Sequence, residues 1–183
     1  MPVKRFILSG APGSGKTAIL RQLELDGFVV VEETATDVIA LWQARGIPEP
    51  WTDPSFIDAI VDLQLRRELQ AGMQQGAVQS HDRSVICTAA LAKYLGYPFS
   101  RSLETAMERL KRESIFERQV LFIRNLEFIS PTEARRISFE ESLHFERIHE
   151  EIYRESGFDL ISIDRASLSE RVAQIKRIVA SCG

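Results

Sequence analysis

The chain has 183 residues and a formal net charge of −3, with 44% hydrophobic and 27% charged residues. These fractions are close to those of an average globular domain, which excludes a disordered, collagen-like or disulfide-scaffold protein. The length predicts one domain over residues 1–183, and the small acidic excess argues against binding duplex nucleic acid or a membrane through bulk charge.

Strand-like and helix-like patterns alternate along the chain. Short apolar or β-branched runs predict five strands at residues 3–9, 28–31, 77–81, 120–123 and 160–163. Apolar residues at helical spacing predict helices at residues 15–25, 38–44, 55–75, 84–95, 101–118, 138 to about 156, and 168 to about 180. Strands that alternate with helices predict an α/β fold, in which helices cover both faces of a parallel sheet.

Residues 10–17 carry a phosphate-binding pattern between the first strand and the first helix. Their sequence, GAPGSGKT, fits G-x-x-x-x-G-K-[ST], in which glycines let backbone N–H groups turn toward phosphates. Lys16 is predicted to reach the β- and γ-phosphates, and the Thr17 hydroxyl is predicted to ligate Mg²⁺. We therefore expect the phosphates of a nucleotide to be bound by Gly10, Ala11, Pro12, Gly13, Ser14, Gly15, Lys16 and Thr17.

Charged residues end two further strands. Ligands of parallel α/β sheets bind outside the carboxyl ends of the strands, so these residues should converge with residues 10–17. Of Glu32 and Glu33 only one should face the crevice, and we predict that Glu33 does so and meets an acceptor hydroxyl or ribose. Asp82 is predicted to hold Mg²⁺ through water, and Arg83 to contact the transferred or acceptor phosphate. The alternatives are that Glu32 and Glu33 form only a polar strand terminus, and that Asp82 and Arg83 form a solvated turn.

Other candidates depend on context. Eighteen of the 23 basic residues are arginine, and Arg135 and Arg136 are either a solvated pair or part of a flap that closes over phosphates. Gln64 could present its amide to an acceptor base, and His81 is interpreted as a hydrogen-bonded core histidine. Cys87 and Cys182 lie outside any C-x-x-C pattern and predict two reduced thiols.

Together these motifs resemble the small AAA-type P-loop ATPase/kinase domain family related to the nicotinamide riboside kinase domain of NadR, and more loosely the deoxynucleoside and nucleoside monophosphate kinases. The likeness covers nearly the whole chain and is carried mainly by residues 10–17, 27–33, 82–83 and 134–141. It implies a three-layer P-loop NTPase fold with strand order 2-3-1-4-5, and a lid at about residues 128–140 that carries Arg135 and Arg136.

Two positions depart from the family pattern. Thr36 stands where family members often have an arginine, and Ser84 stands where glycine is typical. The sequence Asp-Arg-Ser is closer to that of the deoxynucleoside kinases. Both differences concern the acceptor side, and they leave the identity of the acceptor open.

Two functions are consistent with these residues. The first is ATP- and Mg²⁺-dependent phosphoryl transfer to a nucleoside, nucleotide or similar small acceptor, with catalytic roles for Lys16, Glu33, Asp82, Arg83, Arg135 and Arg136. The second is a regulatory ATPase or GTPase switch that acts through a protein partner, although no Asn-Lys-x-Asp sequence for guanine recognition occurs.

By analogy with small kinases, adenine should lie against residues 164–167.

The initial apolar run is too short for a signal peptide, and no run approaches the length of a membrane span. We therefore expect a cytoplasmic monomer or homodimer.

Overall fold

The chain folds around a five-stranded parallel sheet. The computed structural model describes residues 3–10, 12–74, 76–125 and 139–182, with only the backbone of Phe139. The strands are β1 (Lys4–Ser9), β2 (Val29–Val31), β3 (Val78–Asp82), β4 (Gln119–Ile123) and β5 (Asp159–Ile163). Their order is β2-β3-β1-β4-β5 and every neighbouring pair is parallel. The predicted fold class and strand order are confirmed.

Helices follow the strands as predicted, with some different ends. They are α1 (Lys16–Leu25), α2 (Ala35–Ala44), α3 (Ser55–Gly72), α4 (Val85–Leu95), α5 (Arg101–Arg112), α6 (Phe139–Glu155) and α7 (Leu168–Ser181), with a 3₁₀ turn at Pro50–Thr52. A capping box of Ser167 and Glu170 begins α7. No helix within the described ranges is both long and apolar enough to cross a bilayer.

Two helix boundaries differ from the predictions for local reasons. The helix predicted at residues 38–44 begins earlier, at Ala35, because the Glu33 carboxylate accepts the first backbone N–H groups of α2. The helix predicted to reach residue 118 ends at Arg112, because Ser114 has φ 47° and turns the chain. Glu117 N then donates to Arg5 O at 2.8 Å, which starts the approach to β4.

The sheet has a separate core on each face. Side chains alternate along β1, so that Ile7 packs among buried residues of α3 to α6, whereas Phe6 and Leu8 pack against α1 and α7. A third cluster joins α2 to the first turns of α3 through Val38 and Phe56. These layers fix the strands, and therefore the chain segments that leave their carboxyl ends.

The middle of β3 is polar and buried. The Gln79 side chain is satisfied, since it donates to Ala71 O at 2.6 Å and accepts from Arg5 Nε at 3.0 Å. His81 is buried edge-on against Phe116, with 4.8 Å between ring centroids. Its Nε2 atom has no hydrogen-bond partner in the described part of the chain, which corrects the prediction of a hydrogen-bonded imidazole at that nitrogen. Burial lowers the pKa of His81 to about 3, so the ring is neutral.

Strand register brings the predicted site residues to one edge. Leu8 of β1 pairs with Asp82 of β3, and Val31 of β2 pairs with His81. The segments that follow β1, β2 and β3 therefore leave the sheet side by side. This edge carries the candidate site.

Candidate active site

A cleft of about 930 Å³ opens at this edge of the sheet. Its lining combines the phosphate-binding loop and the first residues of α1 with apolar and aromatic side chains of α2, α3, α4 and α6. Glu33, Asp82 and Arg83 also line it. The walls of the cleft are therefore formed by polar backbone, charged side chains and apolar side chains together.

The loop before α1 requires its glycines. Gly10, Gly13 and Gly15 have φ values of 135°, 83° and 86°, a region that L side chains rarely adopt. A Cβ on Gly10 would collide with the carbonyl oxygen of Ile123. The loop therefore passes tightly over the end of β4, and its conformation is suited to turning backbone N–H groups into the cleft. Ala11 lies outside the described residues.

Lys16 is the first residue of α1 and is almost completely buried. Its Nζ donates to Gly10 O at 3.0 Å and to Ser14 Oγ at 3.2 Å. Burial and the neighbouring positive charge of Arg83 lower the pKa of Lys16 to about 7. An ammonium in this position would gain from an anion beside it, which is what a phosphate would provide.

Arg171 of α7 supports the loop from behind. It is 3% exposed, and its guanidinium donates to Ser14 O at 2.9 Å and to Arg124 O at 3.2 Å. Because a trans peptide holds its C=O and N–H on opposite sides, the Gly15 N–H is directed away from Arg171. Sequence reasoning missed Arg171, although its place on the apolar stripe of α7 with Val172 and Ile175 was a usable signal.

Glu33 is held at the start of α2 and lines the cleft. Its two carboxylate oxygens accept the backbone N–H groups of Ala35 at 3.2 Å and Thr36 at 3.0 Å. Glu32 instead forms an exposed ion pair with Arg21, so the cleft receives the predicted one of the two glutamates.

Arg67 of α3 fixes the end of β2 and was also missed. Its guanidinium donates to the backbone carbonyls of Glu32 and Glu33 and pairs with Asp37. Thus the backbone and the carboxylate of Glu33 are both fixed by hydrogen bonds.

Asp82 presents an unused carboxylate oxygen. Its Oδ1 is buried and has no hydrogen-bond partner among the described residues, and burial raises the pKa of its carboxyl group. Thr17 lines the same cleft. A hydroxyl and a carboxylate are oxygen ligands that suit Mg²⁺, so these residues fit the predicted metal role. The described ranges contain no cluster of three His, Cys, Asp or Glu residues that could hold a metal alone, so phosphate and water oxygens would complete the coordination.

Arg83 adopts a left-handed backbone, with φ 71°. Its Nε lies 4.0 Å from Glu33 Oε1, and its Nη1 lies 3.1 Å from Nε2 of His149, a residue of α6 that sequence reasoning did not select. The structure therefore brings Lys16, Glu33, Asp82 and Arg83 around one cleft, as the strand ends predicted.

Four aromatic side chains also line the cleft. They are Trp51, Phe56, Tyr94 and Phe145. Gln64 also lies there, and its Oε1 accepts the Thr88 hydroxyl at 2.8 Å. The Gln64 amide nitrogen carries two further hydrogen-bond donors that a ligand in the cleft could use.

Several predicted site residues lie elsewhere. Arg135, Arg136 and the predicted lid at 128–140 lie outside the described residues, except for the first two positions of α6. The loop at residues 164–167 follows β5, where Arg165 Nε donates to Asn125 O at 2.6 Å. It does not contribute to the lining of the cleft, and adenine binding there stays a prediction. Cys87 and Cys182 are free thiols, as predicted.

Comparison with known proteins assigns the chain to a family and relates its fold to solved structures. The model of a family described as "AAA domain" matches residues 5–171. No curated protein sequence matches the chain significantly.

Solved structures of three kinds share the fold. Deoxyadenosine kinase from M. mycoides, with dCMP and dCDP bound, has a TM-score of 0.67 at 14% identity, covering 97% of this chain and 99% of that one. NadR in complex with NAD and AMP-PNP has a TM-score of 0.69 at 18% identity, covering 96% of this chain and 48% of that one. Thymidylate kinase from Candida albicans has a TM-score of 0.55 at 13% identity, covering 98% and 92%. At identities this low the likeness shows the shared fold.

Proposed function

We propose that this chain, which belongs to the AAA domain family, is a kinase that uses ATP and Mg²⁺ to phosphorylate a nucleoside, nucleotide or similar small acceptor. The observation that carries the proposal is one cleft whose lining combines the phosphate-binding loop with aromatic side chains. A switch that only hydrolyses a nucleotide needs the phosphate-binding part alone. A kinase needs both, because its two substrates must be aligned for in-line transfer.

The nucleotide end would bind the ATP phosphates. Backbone N–H groups of the loop and the dipole of α1 favour an anion, and Lys16 adds a positive charge. Thr17 and Asp82 would hold the Mg²⁺, which neutralises charge on the phosphates when bound. The unpartnered Asp82 oxygen and the glycine-dependent loop support this assignment.

Glu33 would orient the acceptor hydroxyl. Each of its oxygens accepts one backbone N–H, and each retains a lone pair for a further donor. The loose transition state of phosphoryl transfer demands little proton abstraction, so positioning is the larger contribution. Arg83, close to Glu33, would stabilise charge on the transferring group.

The aromatic side chains of the cleft would hold the acceptor ring. Planar aromatic walls favour a flat heterocycle through stacking, and the Gln64 amide offers N–H donors to a ring nitrogen or carbonyl. These features favour an acceptor that joins a heterocycle to a hydroxyl-bearing group, as in a nucleoside. The nucleotides dCMP and dCDP, bound to a deoxyadenosine kinase that shares this fold, add support for that class.

The proposal is tested by ADP release from MgATP with a panel of nucleosides, nucleoside monophosphates and vitamin ribosides. We expect at least one acceptor to stimulate turnover well above the rate with ATP alone, and Lys16→Ala to abolish that stimulation. Tight ATP binding without stimulation by any acceptor would overturn the kinase proposal. A regulatory nucleotide-binding protein would then be the better interpretation.

A further inference from the structure

Helix α6 contacts the end of β3 through buried polar side chains. His149 is completely buried, and its Nε2 lies 3.1 Å from Nη1 of Arg83. One helical turn later, the Tyr153 hydroxyl lies 3.0 Å from Ser84 Oγ and 3.0 Å from Cys87 Sγ. Residues i and i+4 share a helix face, so this face of α6 contacts both Arg83 and the residue after it.

The hydrogen bonds determine the tautomer of His149. Its Nδ1 lies 2.8 Å from the carbonyl oxygen of Phe145, and a carbonyl can only accept, so Nδ1 carries a proton. Burial, followed by the charge of Arg83, lowers the pKa of His149 to about 3, so the ring holds one proton. Nε2 therefore presents a lone pair, and the Arg83 guanidinium donates to it.

Arg83 needs such a partner to keep its position. Its positive charge opposes that of the buried Lys16, and the Glu33 carboxylate approaches its Nε only to 4.0 Å. A carboxylate in place of His149 would orient Arg83 but would also neutralise it. A neutral imidazole orients the guanidinium without adding a further negative charge beside it, so Arg83 can still attract a phosphate.

We propose that His149 is a positioning residue, which holds the Arg83 guanidinium in the cleft as a neutral hydrogen-bond acceptor. Its kinetic consequence rests on the proposed kinase function. His149 touches neither substrate in this proposal, and acts only through Arg83.

Two replacements separate the acceptor from the volume of the side chain. His149→Phe keeps a buried ring and removes the acceptor, whereas His149→Gln places an amide oxygen near the position of Nε2. We expect His149→Phe to lower kcat about tenfold or more, the size expected for losing a hydrogen bond to a charged group. The KM for ATP should change less than twofold, because the phosphate-binding loop is untouched. His149→Gln should retain most of the kcat.

Ile152→Ala is the matched control on the same helix. Ile152 is buried in the core beside α4, so its truncation should lower the melting temperature of the protein and leave kcat near that of the wild type. A wild-type kcat in His149→Phe would overturn the proposal, and so would equal losses in His149→Gln and His149→Phe.

A measurement without turnover keeps the contact testable. Nitrogen-15 NMR at pH 7 should show His149 with a protonated Nδ1 and an unprotonated Nε2, whose resonance shifts in Arg83→Lys. A protonated Nε2, or an Nε2 resonance unaffected by Arg83→Lys, would overturn the proposal even if His149→Phe fails to fold. If no acceptor supports turnover, the kinase proposal fails, and the NMR result still decides whether His149 accepts from Arg83.

Discussion

The buried ammonium of Lys16 predicts that nucleotide affinity depends on pH. In the nucleotide-free protein the pKa of Lys16 is about 7, chiefly because of burial. Phosphates beside Nζ favour the charged form and should return the pKa toward its ordinary value of 10.5. Since the complex then binds more protons than the free protein, affinity must fall as the pH rises above about 7.

The size of the effect follows from the two pKa values. If the pKa of Lys16 changes from about 7 to its ordinary value on binding, the affinity falls about 50-fold between pH 7 and pH 9, which is about 2.3 kcal/mol. At pH 8 the protein should take up about 0.9 of a proton per nucleotide bound. Phosphate groups are already ionised in this range, so the nucleotide contributes little to the slope.

Isothermal titration calorimetry tests this prediction with MgATP at several pH values. Titrations at pH 8 in two buffers with different ionisation enthalpies give the number of protons taken up. Lys16→Arg is the informative variant, because a guanidinium stays charged throughout the range and should remove the slope. Lys93→Arg, at an exposed ion pair with Glu151, is the control and should keep it. A constant affinity from pH 7 to pH 9 without proton uptake would refute the reasoning.

Four other variants test separate parts of the site. Arg171→Met leaves the buried Ser14 carbonyl without its donor, and should lower the free energy of unfolding by about 1–3 kcal/mol and weaken ATP binding; unchanged values in thermal denaturation and calorimetry would contradict its role behind the loop. Gln64→Leu should raise the KM for the acceptor at least tenfold and leave the KM for ATP unchanged, and equal increases in both would argue against a base contact. Arg135→Ala and Arg136→Ala should each reduce kcat more than ATP affinity in steady-state assays, and unchanged turnover would return the pair to the solvated surface.

The fold was predictable because its signals are local. The alternation of apolar runs with helical periodicity identified every strand of the sheet, and the resemblance supplied their order. The errors came from interactions that a periodicity pattern does not contain. Nothing in the apolar spacing indicates that the Glu33 side chain starts α2 early, or that Ser114 turns the chain before β4.

The contiguous parts of the candidate site were predictable for a different reason. Residues 10–17 form a pattern that is recognisable without knowing the fold, and a parallel sheet brings the residues that follow β2 and β3 beside it. Glu33, Asp82 and Arg83 line the cleft accordingly. Their catalytic roles still depend on the assays described above.

The contacts of the supporting residues were not predictable from the sequence alone. Arg67, His149 and Arg171 come from three helices, and each is defined by a backbone or side-chain atom distant in the sequence. Arg171 is buried, unlike the other arginines in the described ranges. A charged residue on an apolar helix stripe is the sequence signal that would have identified it.

Uncharged groups accept hydrogen bonds from three basic side chains near the phosphate-binding loop. Lys16 donates to a carbonyl and a hydroxyl, Arg171 to two carbonyls, and Arg83 to the His149 imidazole. The charge of Arg83 repels that of Lys16 and adds to the cost of burying it, whereas Asp82 and Glu33 offset part of that cost. A polyphosphate would relieve that repulsion on binding. The low pKa of Lys16 and the neutral contact at Arg83 therefore belong to one arrangement, in which Arg83 is charged before the nucleotide arrives and Lys16 gains its proton as the phosphates bind.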